Sequence, residues 1–195
     1  LPFRGEGYML KSDARKIFAE KRRATTSQQR MKWDDLVLIQ FQNLALPDIN
    51  VLFTYAAMEM EVNTDPIVDY LLFRNPGLQV AYPVCEFESY TMKAVAVTAD
   101  TPFIKNKYGT PEPESTEIIT PDSIDMVIIP LLCFDKKGYR VGYGKGFYDK
   151  YLLHTRPDII KIGLSYYEPV DEITDRNEFD VPLNYCITPG RMYEF

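Results

Sequence analysis

Residues 125–149 read DMVIIPLLCFDKKGYRVGYGKGFYD, and this stretch decides the fold. The run from Ile124 to Phe134 is almost wholly apolar, the form a strand takes when both of its faces are covered. After Asp135 and two lysines come Gly138, Gly142, Gly144 and Gly146, and a helical pattern then runs from about Phe147 to His154. Strand, glycine loop and helix in that order belong to α/β architecture.

Working outward, residues 10–25 form a helix rich in Lys and Arg. Ser27 is placed to cap a second helix that carries Met31, Leu36, Val37, Ile39, Gln40 and Leu44 on a packing face and ends at Pro47 and Asp48. Ile49 to Tyr55 is a short buried strand. Thr64, Asp65 and Pro66 open a helix that reaches Arg74, where Asn75-Pro76-Gly77 breaks it. Leu78 to Tyr82 is a strand closed by Pro83, and Glu86 to Thr98 alternates like strands near an edge. Residues 100–124 are proline-rich and read as a long loop. Ile159 to Leu164 and Val181 to Thr188 complete the strands. The alternation predicts one α/β domain with a largely parallel central sheet flanked by helices. Met9 is a candidate initiator, which would make residues 1–8 a disordered extension.

Composition narrows the function. With 195 residues and 46% hydrophobic content, the chain can bury a sizeable core as one domain. Its formal charge of −6 does not favour nucleic acid as a partner. No apolar run is long enough to span a bilayer, so no membrane partner is expected. Cys85, Cys133 and Cys186 are far apart and form no CxxC pair, which suits reduced thiols in a cytoplasmic protein rather than a zinc site. The single histidine, His154, suits a surface or helix-end residue and leaves no room for a histidine triad or a His-rich metal site.

Chemistry therefore concentrates in the glycine loop. Glycines at alternate positions let the backbone approach a ligand closely. The free N–H groups at the following helix start suit a phosphate. Arg140 and Lys145 add full charges, and Asp149 is placed where a phosphate-bound Mg²⁺ could use it. The pattern is not Walker A, since no Ser or Thr follows Lys145, and it is not GxGxxG, since the third glycine comes one residue early. On pattern alone two readings stand: a phosphate loop, or glycines making a turn beside solvated charges.

The segment resembles the signature of the 5-formyltetrahydrofolate cyclo-ligase family, also called methenyltetrahydrofolate synthetases. That signature is a Phe-Asp pair followed by Gly-x-Arg-x-Gly-x-Gly-x-Gly-(aromatic)-Tyr-Asp. Here Phe134, Asp135, Gly138, Arg140, Gly142, Gly144, Gly146, Phe147, Tyr148 and Asp149 meet it. Weaker similarity covers nearly the whole chain: Lys11 and Arg15 at the start, Glu61 after INVLFTY, the Tyr108–Pro113 loop, and Phe179-Asp180 with Thr188-Pro189 near the end.

The resemblance implies a Rossmann-like domain in which ATP and 5-formyltetrahydrofolate meet in one cleft. In that reaction ATP phosphorylates the formyl oxygen, nitrogen 10 attacks the activated carbon, and phosphate leaves to give 5,10-methenyltetrahydrofolate. It also implies the roles of individual residues. Arg140 and Lys145 are the catalytic cations. ATP is held by Lys11, Arg15, Arg140, Gly142, Tyr143, Gly144, Lys145, Gly146, Phe147 and Tyr148, with Tyr148 open between nucleotide contact and packing. The folate meets Glu61, Tyr108 and the Tyr143–Phe147 stretch, and Mg²⁺ takes Asp149 and Asp180. Without the resemblance, Lys11 and Arg15 are a solvated helix face, Glu61 a loop carboxylate and Asp180 a turn residue. Tyr143 stands where some members carry a second Arg, and Val84 where members often have Arg; these departures put one phosphate cation and one substrate contact in doubt. A monomer is expected. Two alternatives are another ATP-using enzyme on the same scaffold and a non-catalytic folate- or nucleotide-binding module.

Overall fold

The short apolar runs become the inner strands of one eight-stranded sheet. In the computed structural model, which describes residues 7–195, these strands are β1 (Val51–Phe53), β2 (Gln79–Glu86), β3 (Thr91–Val97), β4 (Ile118–Ile119), β5 (Met126–Ile129), β6 (Ile160–Leu164), β7 (Tyr185–Ile187) and β8 (Met192–Glu194). Their order across the sheet is β8-β7-β6-β5-β1-β2-β3-β4. The five strands from β7 to β2 run parallel, and antiparallel strands flank them at both edges. The expected α/β class with a largely parallel sheet is what the structure has.

The helices are α1 (Lys11–Ala24), α2 (Ser27–Gln42), α3 (Asp65–Arg74) and α4 (Phe147–Leu152). β5 shows why its sequence is wholly apolar. Met126 and Ile128 pack in one core with α2 and α3, while Val127 and Ile129 pack in a second core with Tyr151 and Leu152 of α4. Successive side chains point to opposite faces, and both faces are covered. α1 stands apart: Ala14 and Phe18 join Leu132, Cys133, Val141, Val170 and Ile173 in a third, smaller cluster beyond the strand ends.

Several local expectations are corrected. The cap of α2 is Thr26, whose Oγ1 accepts the Gln29 N–H at 3.2 Å, and Ser27 is already helical. α2 buries Val37 and Phe41, with Leu44 just past its end at Gln42, while Met31, Leu36 and Ile39 face out. Apolar residues surround this helix, so sequence spacing alone does not choose its inner face. Thr64 sits at the start of α3 but donates its hydroxyl to the Tyr55 carbonyl instead of capping. Pro83 does not end its strand; β2 runs through it, past the end of β1, where its missing N–H leaves no bond unmade on that side. The proline-rich stretch is not structureless: Phe103–Lys105 pairs with Pro111–Pro113, and β4 follows. α4 stops at Leu152, short of His154. Of the expected amino-terminal extension, residues 1–6 lie outside the described residues, and Tyr8 is ordered, pairing with Met9 alongside Glu172–Ile173.

Candidate active site

Because β1 and β5 are parallel neighbours, the loops that follow them leave the sheet side by side. Crevices at the carboxyl ends of parallel strands are where α/β folds place ligands. The loop after β5 first folds into a tight hairpin, with Cys133–Phe134 paired to Arg140–Val141. Asp135 holds it: one carboxylate oxygen accepts the N–H groups of Lys137 and Tyr139 at 2.9 and 3.0 Å, and the other accepts Ile173 N–H at 3.1 Å. Gly138 turns at φ +83°, and a Cβ there would lie 2.7 Å from the Phe195 ring. The first part of the motif thus builds the scaffold.

The second part lines a cleft of about 790 Å³. All the site residues expected from sequence border this one space: Lys11, Arg15, Glu61, Tyr108, Arg140, the stretch from Gly142 to Tyr148, Asp149 and Asp180. Gly144 at φ +87° brings the loop against the Arg15 guanidinium, where a Cβ would come within 3.2 Å, and Arg15 Nε donates to the Gly142 carbonyl at 3.0 Å. Pro83 and Cys85 border the cleft, whereas Val84 between them does not, as alternation along a strand requires.

At one end the charges are paired. Lys11 Nζ donates to both oxygens of Asp180, at 2.7 and 2.5 Å. Arg140 donates to Asp149 at 2.7 Å and to the Val181 carbonyl. The same Asp149 oxygen accepts Val181 N–H at 3.3 Å, which sets the two aspartates side by side. Arg140, expected to add charge for phosphate, is 9% exposed and paired with Asp149. Burial draws its pKa down, and Asp149 opposes that shift. Lys145 is exposed on the loop, its ammonium 5.9 Å from the Tyr90 ring centroid.

At the other end stands a single buried carboxylate. Glu61 is 6% exposed. One of its oxygens accepts Met58 N–H at 2.9 Å and the other accepts the Tyr143 hydroxyl at 2.7 Å. Burial pushes the Glu61 pKa up, while those hydrogen bonds and Arg22 hold it back. Burial and the Glu61 charge also raise the Tyr143 hydroxyl pKa, so that hydroxyl keeps its proton. Tyr148 stacks on Phe53 with ring centroids 6.1 Å apart, and its buried hydroxyl has no hydrogen-bond partner among the described residues.

The sequence profile of the 5-formyltetrahydrofolate cyclo-ligase family matches residues 9–189. The chain belongs to that family. A cyclo-ligase from Haemophilus influenzae is 30% identical over 149 residues, 74% of each chain. One from Escherichia coli K12 is 25% identical over 92% of this chain and all of its own length. The solved structure of Aquifex aeolicus 5,10-methenyltetrahydrofolate synthetase superposes with a TM-score of 0.75 at 25% identity, covering 95% of this chain and 93% of its own. That of Mycoplasma pneumoniae gives 0.73 at 25% identity, covering 92% and 98%.

Of the groups that line this cyclo-ligase cleft the sequence reading missed Tyr55, Cys85 and Phe87, and behind its wall it missed Arg22, which donates to the Tyr143 hydroxyl. Arg22 did leave a signal. It follows Lys11 and Arg15 at spacings that put all three within about 40° around a helix. Phe87 left none, since its place beside Tyr108 and Phe147, with centroids 4.0 and 5.3 Å away, depends on two distant loops. Cys85 borders the cleft as an inert thiol, its pKa pushed up to about 11 by burial and then by Glu112.

Proposed function

We propose that this chain converts 5-formyltetrahydrofolate to 5,10-methenyltetrahydrofolate at the expense of ATP, in one domain and one cleft. The observation that carries this is the asymmetry of the cleft. Paired cations and carboxylates lie at one end, and a lone buried carboxylate among tyrosines lies at the other. The first suits a metal–polyphosphate and the second an uncharged heterocycle with N–H donors.

The reaction needs no protein nucleophile. The formyl oxygen takes the terminal phosphoryl group of ATP, nitrogen 10 closes on the activated carbon, and phosphate departs. The protein supplies orientation and charge neutralisation, which dominate phosphoryl transfer. Lys11, Arg15 and Lys145 face the phosphates, and the 142–146 backbone offers hydrogen bonds to them. Arg140 holds Asp149 in place and adds charge behind it. Asp149 and Asp180 fit Mg²⁺, which takes one or two carboxylates beside phosphate oxygens and would neutralise developing charge there. Glu61, Tyr108 and the Tyr143–Phe147 stretch meet the folate. The unpartnered Tyr148 hydroxyl favours ligand contact over packing alone.

The same proposal makes the chain a cytoplasmic monomer. Three cysteines outside any disulfide suit a reducing compartment. Among the described residues no helix is long and apolar enough to cross a membrane.

Phosphate release measured with each ligand alone and with both is the test. Release only when ATP and 5-formyltetrahydrofolate are both present is expected. Release from ATP without the folate points to another ATP-using enzyme, and binding without release to a non-catalytic module.

A further inference from the structure

Helix α1 turns one stripe toward the cleft, and three cations lie along it. Lys11 and Arg15 border the cleft itself. Arg22, two turns beyond Arg15, is buried, with 4% of its surface exposed. One arm of its guanidinium donates to the Leu131 carbonyl, and the other donates to the Tyr143 hydroxyl at 2.9 Å.

A guanidinium has donors only. The Tyr143 oxygen must therefore accept from Arg22, and its own proton is directed at the Glu61 oxygen 2.7 Å away. The chain of bonds has a fixed polarity: Arg22 to Tyr143 to Glu61. It joins α1, the glycine loop and the loop after β1. Buried charges need a partner, and the carboxylate that the Arg22 charge faces is Glu61, one hydroxyl away.

We infer that Arg22 is a positioning residue for the folate: through the Tyr143 hydroxyl it keeps Glu61 ionised and its remaining lone pairs turned to the cleft. A ligand edge made of N–H donors needs an acceptor carboxylate, and a protonated one would oppose it with a donor of its own. Burial works against the ionised state, which is why the cation matters here. The other groups around Glu61 do not replace it. Tyr55 and Tyr148 are neutral, their proton loss pushed well above the ordinary range by burial. Tyr166 donates to the Glu61 carbonyl, not to its carboxylate, at 2.9 Å. The same Tyr166 hydroxyl lies 2.8 Å from Asp34 of α2, a second negative group, which faces Arg30.

The test is direct titration of 5-formyltetrahydrofolate against the full chain across pH, for Arg22→Met, Arg22→Lys, Tyr143→Phe and Glu61→Gln. Arg22→Met is expected to weaken folate binding about tenfold at neutral pH, with the loss shrinking as pH rises, because its Glu61 releases the proton only at higher pH. Arg22→Lys restores the cation and moves the profile back toward wild type. Tyr143→Phe breaks the bridge and shifts the profile in the same direction as Arg22→Met. A purely structural Arg22 would lower Tm and leave the pH profile where it was; superimposable profiles for Arg22→Met and wild type overturn the inference. Should Arg22→Met not fold, Tyr143→Phe and Arg22→Lys decide by the same criterion. Because the inference rests on Glu61 as the folate carboxylate, Glu61→Gln separates the two failures. Unchanged affinity in Glu61→Gln sinks that assignment, whereas dependence on Glu61 without dependence on Arg22 sinks the inference alone.

Discussion

At one end of the cleft, proposed for phosphate, Lys11 holds Asp180 and Arg140 holds Asp149; at the other, proposed for folate, Glu61 is held by a tyrosine hydroxyl and a backbone N–H. The first arrangement is made of opposite charges that can trade partners. If a metal–phosphate binds there as proposed, Asp149 and Asp180 would turn to the metal and the cations to phosphate, so no charge would be left unpaired on either side. The second arrangement has no spare partner. Its carboxylate is held by two fixed donors, the Tyr143 hydroxyl and the Met58 N–H, which favours recognition of one hydrogen-bonding edge. Exchange suits a ligand whose charge changes during reaction, and fixity suits one that must be told apart from its analogues.

The largest effect is expected where exchange is blocked. Asp149→Asn and Asp180→Asn should each lower turnover about a hundredfold or more and raise the Mg²⁺ required. The double variant should lose less than the sum, because the two aspartates act as one unit. Strictly additive losses, or a lower Tm with unchanged magnesium dependence, would return Asp180 to a turn residue. Next in size, Lys145→Ala should weaken ATP binding about tenfold or more while leaving folate affinity close to wild type. Equal losses in separate titrations of the two ligands would erase the distinction between the ends.

The fixed end makes a prediction about stability. The folded-state pKa of Glu61 lies above its unfolded value. The folded chain therefore binds that proton more tightly, and the ionised side chain costs stability once pH rises above the unfolded value. Glu61→Gln should then raise Tm at neutral pH. The gain should vanish in acid, below pH 4.5, where Glu61 is protonated in both states. A gain that is the same at every pH, or a loss at neutral pH, would show that the carboxylate is not held ionised against its surroundings.

The smallest effect concerns the loop around Tyr108. Asn106 already bonds the N–H groups of Tyr108 and Thr110 through its side chain, at 2.9 and 3.1 Å, so the turn is partly formed without ligand. Folate should slow hydrogen exchange at residues 106–110 by about tenfold or less, and ATP alone should not. Protection by ATP alone would assign this loop to the other end.

The residues that touch the cleft were largely legible in the chain, because the glycine loop and its flanking charges lie in one continuous stretch. The work of Asp135 was not. A carboxylate beside two lysines looks solvated, yet this one is fully buried and takes three backbone N–H groups. For Arg140 the sequence gives the charge but not the depth at which Asp149 meets it. The spacing of Arg22 from Lys11 and Arg15 puts it on the same stripe of α1, but spacing does not tell that its guanidinium is buried and bonded to Tyr143. In the fold, β5 and β6 were plain from their apolar runs, whereas the inner face of α2 was not, because Met31, Leu36 and Ile39 compete with the residues that are buried.

The pairing of β1 with β5 also bears on how the molecule is made. More than 70 residues separate Leu52 from its partner Met126, so the middle of the sheet closes late, after a long stretch of chain has been placed. That pairing sets side by side the loops that carry Glu61 and Tyr143. The cleft is built from loops far apart in the chain, so a ligand that fits it binds the folded molecule. Substrate in the cell then acts as a selector of finished chains, holding them by mass action against unfolding.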